Sequence, residues 1–247
     1  MKTIFFIAIW LMSATAVFAQ FEIGLNGAVA TTWLLNDNVS DQGPNLNPNF
    51  SVGWSSGVVG NFYFTKSIGV GAELNYSVVN QKYDGAIMEI NYDAVNSLKY
   101  YELPLLFKLK TETGFYFEAG PQFDFLLAAT EDFSMSPADP DLDYTGTDIK
   151  TGLSGMVTGA VFGFGGRFPL SNHVLLTAGL RFFAGLTDAT EEESEAEYLQ
   201  NMENGKLGIA AAFAHIDQQG NFHYEKTTLT SGGIQVGLLY SFGNLKD

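Results

Sequence analysis

Eight ionisable residues sit in stretches otherwise made of glycine, small polar and bulky apolar residues: Glu22, Glu73, Glu102, Lys108, Glu118, Asp124, Arg167 and Arg181. Acids and bases in such surroundings are either solvated on one side or buried against each other, and a buried charge left unpaired costs several kcal/mol. Sharing one interior, they could form a gated or proton-conducting path, or a structural plug of salt bridges. An interior narrow enough to be filled by side chains would favour the plug.

Residues suited to covalent chemistry are scarce. The chain has no cysteine and three histidines, His173, His215 and His223. A lipid-modifying hydrolase would need a nucleophile, a histidine and an acid within reach of one another. His215 or His223 beside a serine such as Ser231 is the arrangement available, but no nucleophile motif surrounds that serine. The expectation is therefore a non-enzymatic protein, with the hydrolase as the alternative. Asp139, Asp141, Asp143 and Asp148 resemble a calcium loop until its key positions are checked. Tyr144 stands where the turn wants glycine and Lys150 where a bidentate Glu is needed. A solvated loop is expected there, and no metal or cofactor. The acidic run Glu191 to Glu197 reads as an exposed helix face.

The N-terminus fixes the compartment. Lys2 supplies a positive start, Ile4 to Met12 an apolar core, and Val17-Phe18-Ala19 the small-residue end that a signal peptidase accepts. Cleavage after Ala19 is expected, with no lipid-anchor cysteine following it. The apolar run is too short for a spanning helix, which needs about 20 residues. Residues 20–247 then form a single domain. Loss of Lys2 takes the formal charge from -15 to -16, and such acidity excludes nucleic acid, whose phosphates require clustered Lys and Arg. The 27 Gly, 21 Phe and 11 Tyr suit a strongly curved closed sheet, where glycine permits bending and aromatics meet the lipid interface.

Period-two alternation marks eight strands: 21–33, 50–65, 68–81, 98–110, 114–129, 152–168, 173–187 and 226–242. In the last, Ile234, Val236, Leu238, Tyr240 and Phe242 oppose Ser231, Gly233, Gln235, Gly237 and Ser241. In the fifth, Phe115, Phe117, Phe123 and Phe125 oppose Glu118, Gln122 and Asp124. A soluble ligand-binding barrel or sandwich would turn the apolar face inward and carry many charges outside. Here the apolar face is too bulky for an eight-stranded interior, and it fits hydrocarbon. The fold predicted is an all-β, eight-stranded antiparallel up-and-down transmembrane β-barrel.

Loop lengths agree with that prediction. Strands 2 and 3, 4 and 5, and 6 and 7 are joined around Lys66-Ser67, Thr111-Glu112-Thr113 and Leu170-Ser171-Asn172, whereas 34–49, 82–97, 130–151 and 188–225 are long. Short periplasmic turns alternating with four long extracellular loops is the outer-membrane pattern. Within 188–225, Thr190 with Glu193 predicts a capping box for a helix over 191–202, stopped at Gly205. Lys206 to Ile216 and Asn221 to Thr230 predict a hairpin turning at 217–220.

The closing pattern Gln235, Gly237, Tyr240 and Phe242 resembles the C-terminal signal by which outer-membrane barrels engage their assembly machinery, placed five residues short of the terminus. Tyr101-Glu102-Leu103-Pro104-Leu105-Leu106-Phe107-Lys108, followed by Phe115-Tyr116-Phe117-Glu118-Ala119-Gly120-Pro121, resembles the paired strands of the PorT-like outer-membrane β-barrel family of Bacteroidota. The resemblance implies outer-membrane localisation, with outer-membrane lipids, the assembly machinery and envelope or secretion-complex proteins as partners. That family includes a component tied to type IX secretion beside many members without assigned roles, so a fold does not fix a role. Pro104 and Pro121 remove ladder donors and predict bulges.

Overall fold

The computed structural model describes residues 20–87, 90–138, 142–243 and 245. The predicted signal peptide, residues 1–19, lies outside them, as do Asp139 and Asp141. Ten strands are described: β1 (Gln20–Leu35), β2 (Asn47–Asn49), β3 (Val52–Tyr63), β4 (Ile68–Ile87), β5 (Ile90–Lys110), β6 (Phe115–Ser136), β7 (Tyr144–Asp148), β8 (Met156–Pro169), β9 (Val174–Gly185) and β10 (Thr228–Ser241). Each of β1, β3, β4, β5, β6, β8, β9 and β10 pairs antiparallel with the next, and β10 returns to β1. Eight strands therefore close a ring, as the alternation predicts. Closure leaves no edge in the ring itself, so every ladder group inside a membrane can be paired.

The outer face is apolar. Leu25, Phe62, Phe107, Phe117, Phe162, Leu238 and Phe242 all point out of the ring and are exposed. Tyr240 packs edge-on to Phe242, with ring centroids 5.2 Å apart, and Phe242 meets Phe21 across the seam at 5.5 Å. Among the described residues no helix is long and apolar enough to cross a membrane.

Three expectations about the connections need correcting. The segments 82–97 and 130–151 are not simply loops: β4 and β5 run on to Ile87 and from Ile90, and β6 reaches Ser136. Beyond the ring these extensions take on β2 and β7 as short neighbours. In 188–225 the helix is α2 (Glu195–Glu203), following α1 (Asp37–Asp41), and its capping box is Ser194 with Glu197, not Thr190 with Glu193. Thr190 is already engaged with Asp188 and Thr227. The predicted hairpin is replaced by α3 (Ile209–Phe213) and a single bridge between Ile216 and Phe222, because Ala210, Ala211 and Ala212 bury a compact helical face that a strand would split between two sides.

Neither proline makes a bulge. The β5–β6 register runs unshifted through Pro104, and β6–β8 through Pro121. The shift lies between Lys99 and Tyr100, where Ala128 and Leu126 are the partners and Leu127 is the extra residue. That bulge reverses which β6 side chains point inward, so Glu131 and Met135 are buried above it.

Apolar packing occurs in three tiers. Leu98, Tyr100, Leu126, Val157, Phe183 and Leu229 fill the ring towards the long-connection end. Above them Val39, Leu46, Tyr83, Tyr92, Ala94, Met135 and Ala210 form the core of a cap. At the opposite end Val59, Leu175 and Leu239 are covered by Leu245, which closes the mouth near the termini.

Candidate functional site

The interior charges form layers along the barrel axis. Nearest the termini, Glu22 on β1 receives Arg167 of β8 at 2.5 and 3.2 Å, and Lys110 of β5 lies 3.8 Å away. Tyr63 completes this layer: its hydroxyl accepts from Arg167 at 3.1 Å, and the Lys110 ammonium sits 3.8 Å from its ring centre. Lys110 ends a strand on the same polar face as Glu102 and Lys108, and its contacts in this layer emerge only from the fold.

In the middle layer Arg181 of β9 spans the lumen. Its Nη1 and Nη2 donate to the two Glu73 oxygens at 2.7 and 2.8 Å, and its Nε donates to Glu118 at 2.9 Å. Lys108 reaches Glu118 at 3.0 Å and Glu73 at 3.8 Å. Asn26 donates to Glu73 at 2.7 Å, and Gln235, from the closing pattern, does so at 3.4 Å. Two acids thus meet two bases with their remaining lone pairs occupied, the condition under which a buried ion pair recovers its desolvation cost. Tyr116 lies over the paired Gly165 and Gly179, where a Cβ would come within 2.8 Å of its ring and 2.6 Å of its hydroxyl. Glycine here makes room for an inward aromatic.

The upper layer differs. Glu102 and Asp124 are direct partners across β5 and β6, and Gln122 donates to Asp124 at 2.8 Å. Among the described residues no lysine, arginine or histidine forms an ion pair with either. All eight predicted residues are therefore interior, but six are paired and two are not.

The other candidates are dispersed. His173 stacks on Tyr240 at the turn end, and His223 pairs with Glu225 on the surface. His215 is fully buried among Tyr198, Phe222 and Tyr224 in the cap. Ser231 lines the barrel cavity with Glu102 and Arg181, so no histidine joins it. Asp143 and Asp148 accept from backbone N–H of Met135 and Lys150, which makes them turn-fixing groups. Among the described residues no three Asp, Glu, His or Cys side chains gather as for a metal. The closing pattern divides by face, with Gln235 turned inward, Gly237 set against Thr177, and Tyr240 and Phe242 outward.

Sequence reasoning missed Glu131. It is fully buried in the cap, accepting from the Tyr144 hydroxyl at 2.7 Å and from the Ile209 backbone at 2.9 Å. Burial raises its pKa above the ordinary glutamate range, opposed by those two hydrogen bonds. The slip in alternation at Leu126-Leu127-Ala128-Ala129 is the one signal that could have revealed it.

A closed antiparallel ring with a hydrocarbon-compatible exterior and a polar, ion-paired interior defines an outer-membrane β-barrel protein. The chain belongs to the outer membrane protein beta-barrel domain family, whose model matches residues 18–191. No curated protein matches it. Among solved structures it is similar to the outer membrane protein OprG from Pseudomonas aeruginosa, with 12% identity, TM-score 0.41, and coverage of 92% of this chain and 97% of that one. It is also similar to Ail, the attachment invasion locus protein of Yersinia pestis, crystallised with the heparin analogue sucrose octasulfate, with 9% identity, TM-score 0.38, and coverage of 90% and 99%. The outer membrane protease OmpT from Escherichia coli aligns with 7% identity, TM-score 0.36, and coverage of 91% and 96%.

Proposed function

We propose that this protein is a non-enzymatic outer-membrane barrel whose lumen is a structural plug and whose cap, on the extracellular side, makes surface contacts or serves an envelope or secretion complex. The observation that carries the reading is the middle layer. Arg181 and Lys108 bridge Glu73 and Glu118 across the axis, with apolar packing above and Leu245 below. The scattered histidines support the absence of catalysis, since a base must reach its nucleophile. In this reading the short turns and both termini face the periplasm after signal cleavage at Ala19, lipids cover the aromatic exterior, and the assembly machinery reads the Gln235 to Phe242 pattern. The PorT-like relationship fits the strand pair around Glu102 and Glu118, and it admits a secretion role as one form of accessory function.

Reconstitution tests this directly. In planar bilayers the protein should give no ohmic channel, and in vesicles it should leave lipid composition unchanged. Steady open conductance would overturn the plug, and deacylated or cleaved lipid would overturn the non-enzymatic role.

A further inference from the structure

The outer face of β3 to β6 carries a band of aromatic rings towards the long-connection end. Trp54 and Tyr76 have ring centroids 5.8 Å apart, and Tyr76 and Tyr101 6.2 Å apart. Phe125 is the register partner of Tyr101, and both are exposed. Tryptophan and tyrosine gather where hydrocarbon gives way to headgroups, so this band marks the membrane boundary on that side. Lys99 lies two residues further along β5, about 7 Å beyond the band at the rise of a strand, and it is exposed.

A second lysine reaches the same place from another element. Ala128 on β6 is the register partner of Lys99. On the other side of β6 the chain leaving β7 is held by the Ile149 N–H, which donates to the Ala129 carbonyl at 3.1 Å, and the Lys150 ammonium donates to the Leu127 carbonyl at 3.1 Å. The two lysines thus flank Ala128. The bulge at Leu127 creates this arrangement, since it sets alanine rather than leucine opposite Lys99 and leaves the space between the ammoniums open. One step above, Ser97 and Thr130 are register partners on the same outward face, and their hydroxyls have no partner among the described residues. Neither lysine forms an ion pair among the described residues. Asp148, beside Thr130 in register, turns one carboxylate oxygen back to accept the Lys150 backbone N–H at 2.9 Å.

Ammoniums and hydroxyls all donate to phosphate oxygens. A phosphomonoester carries about two negative charges at neutral pH, which two lysines balance, and the exposed Tyr101, Phe125 and Leu127 lie below on the lipid side. We propose that Lys99 and Lys150, with Ser97 and Thr130, form a site on the outside of the barrel for the phosphomonoester headgroup of a membrane lipid whose chains run down over Phe125 and Leu127. Which leaflet supplies that lipid rests on the extracellular placement of the cap; the donor set does not.

The test uses the full mature chain in dodecylmaltoside, titrated with dioleoyl phosphatidic acid and read by native mass spectrometry. Wild type should retain phosphatidic acid saturably, and dioleoyl phosphatidylcholine at least about tenfold more weakly. K99Q/K150Q should weaken phosphatidic acid at least about tenfold, whereas K82Q/K206Q, which removes the same charge above the ring, should match wild type. A128L fills the space between the lysines with every charge intact and should also weaken binding. All these positions are outside the packed lumen, and heat-dependent gel migration checks that each variant is a folded barrel. Inorganic phosphate offers the same donors an anion without chains, and it should displace the lipid only in large excess; displacement at equal concentration would overturn a lipid as the ligand. Equal retention of the two lipids, or equal losses from K99Q/K150Q and K82Q/K206Q, would overturn the site, and undiminished binding by A128L would overturn its placement between the lysines. None of these outcomes alters the conductance test of the plug.

Discussion

At the scale of single residues, Arg181 holds the lumen together because it is shared. Replacing it with Met leaves Glu73 and Glu118 buried with Lys108 alone between them. Stability in lipid should fall by about 3 kcal/mol, within the range for breaking a buried pair by losing one partner. Urea unfolding monitored by tyrosine and tryptophan fluorescence measures it, and a further E118Q change should restore part of the loss. Glu131 makes the opposite kind of prediction. Its folded pKa is raised by burial, so the folded state holds a proton that the unfolded chain releases. Its stabilising contribution is complete below the ordinary glutamate value of 4.5 and is lost as pH rises through the higher folded pKa. Hydrogen exchange over 208–213, corrected for intrinsic rates, should be slower in mild acid than at neutral pH. E131Q should flatten that dependence. The sequence shows Glu131 as one acid among many, and only the slip in alternation four residues earlier points to its inward turn.

At the scale of elements, the two faces of a strand carry different chemistry, and depth decides the size of the effect. Ile234 on β10 pairs with Leu180 near the middle of both strands, whereas Leu238 and its partner Leu176 lie near the turn end. An arginine at Ile234 should cost about 2–4 kcal/mol, and at Leu238 no more than about 1 kcal/mol, as lipid-face charges do with depth. Folding yield into bilayers compared between the two variants checks the gradient, and equal losses would contradict the placement. The alternation that identified the eight ring strands was legible because each face has one solvent, lipid or packed lumen, along its whole length. The extensions of β4, β5 and β6 were not legible as strands. Above the membrane their outer side meets water, so segments such as Lys82 to Asp84 and Asp93 to Ser97 read as loops by composition.

At the scale of the whole molecule, the cap is a second core seated on the ring. Ala210, in α3, packs against the cluster containing Tyr83, Tyr92 and Met135, and the Ile209 backbone is tied to Glu131. Replacing 208–213 with a Gly-Ser linker should uncover that cluster, at about 1.5–3 kcal/mol per large apolar side chain exposed, while the ring persists. A rise in hydrophobic-dye binding with an unchanged far-UV β spectrum is the expected signature; loss of the β spectrum would show that cap and ring fold as one unit. The amino-acid sequence by itself determined the closed antiparallel ring, its lipid-facing side and the inward set from Glu22 to Arg181, because a period of two and the bulk of each side chain are local properties. Only the tertiary structure decided which charges pair, that Lys110 joins them, that Glu102 and Asp124 are left facing each other, and that Leu245 and α3 close the two ends. Those outcomes depend on register between strands far apart in the chain, which is not written in the spacing of any one segment.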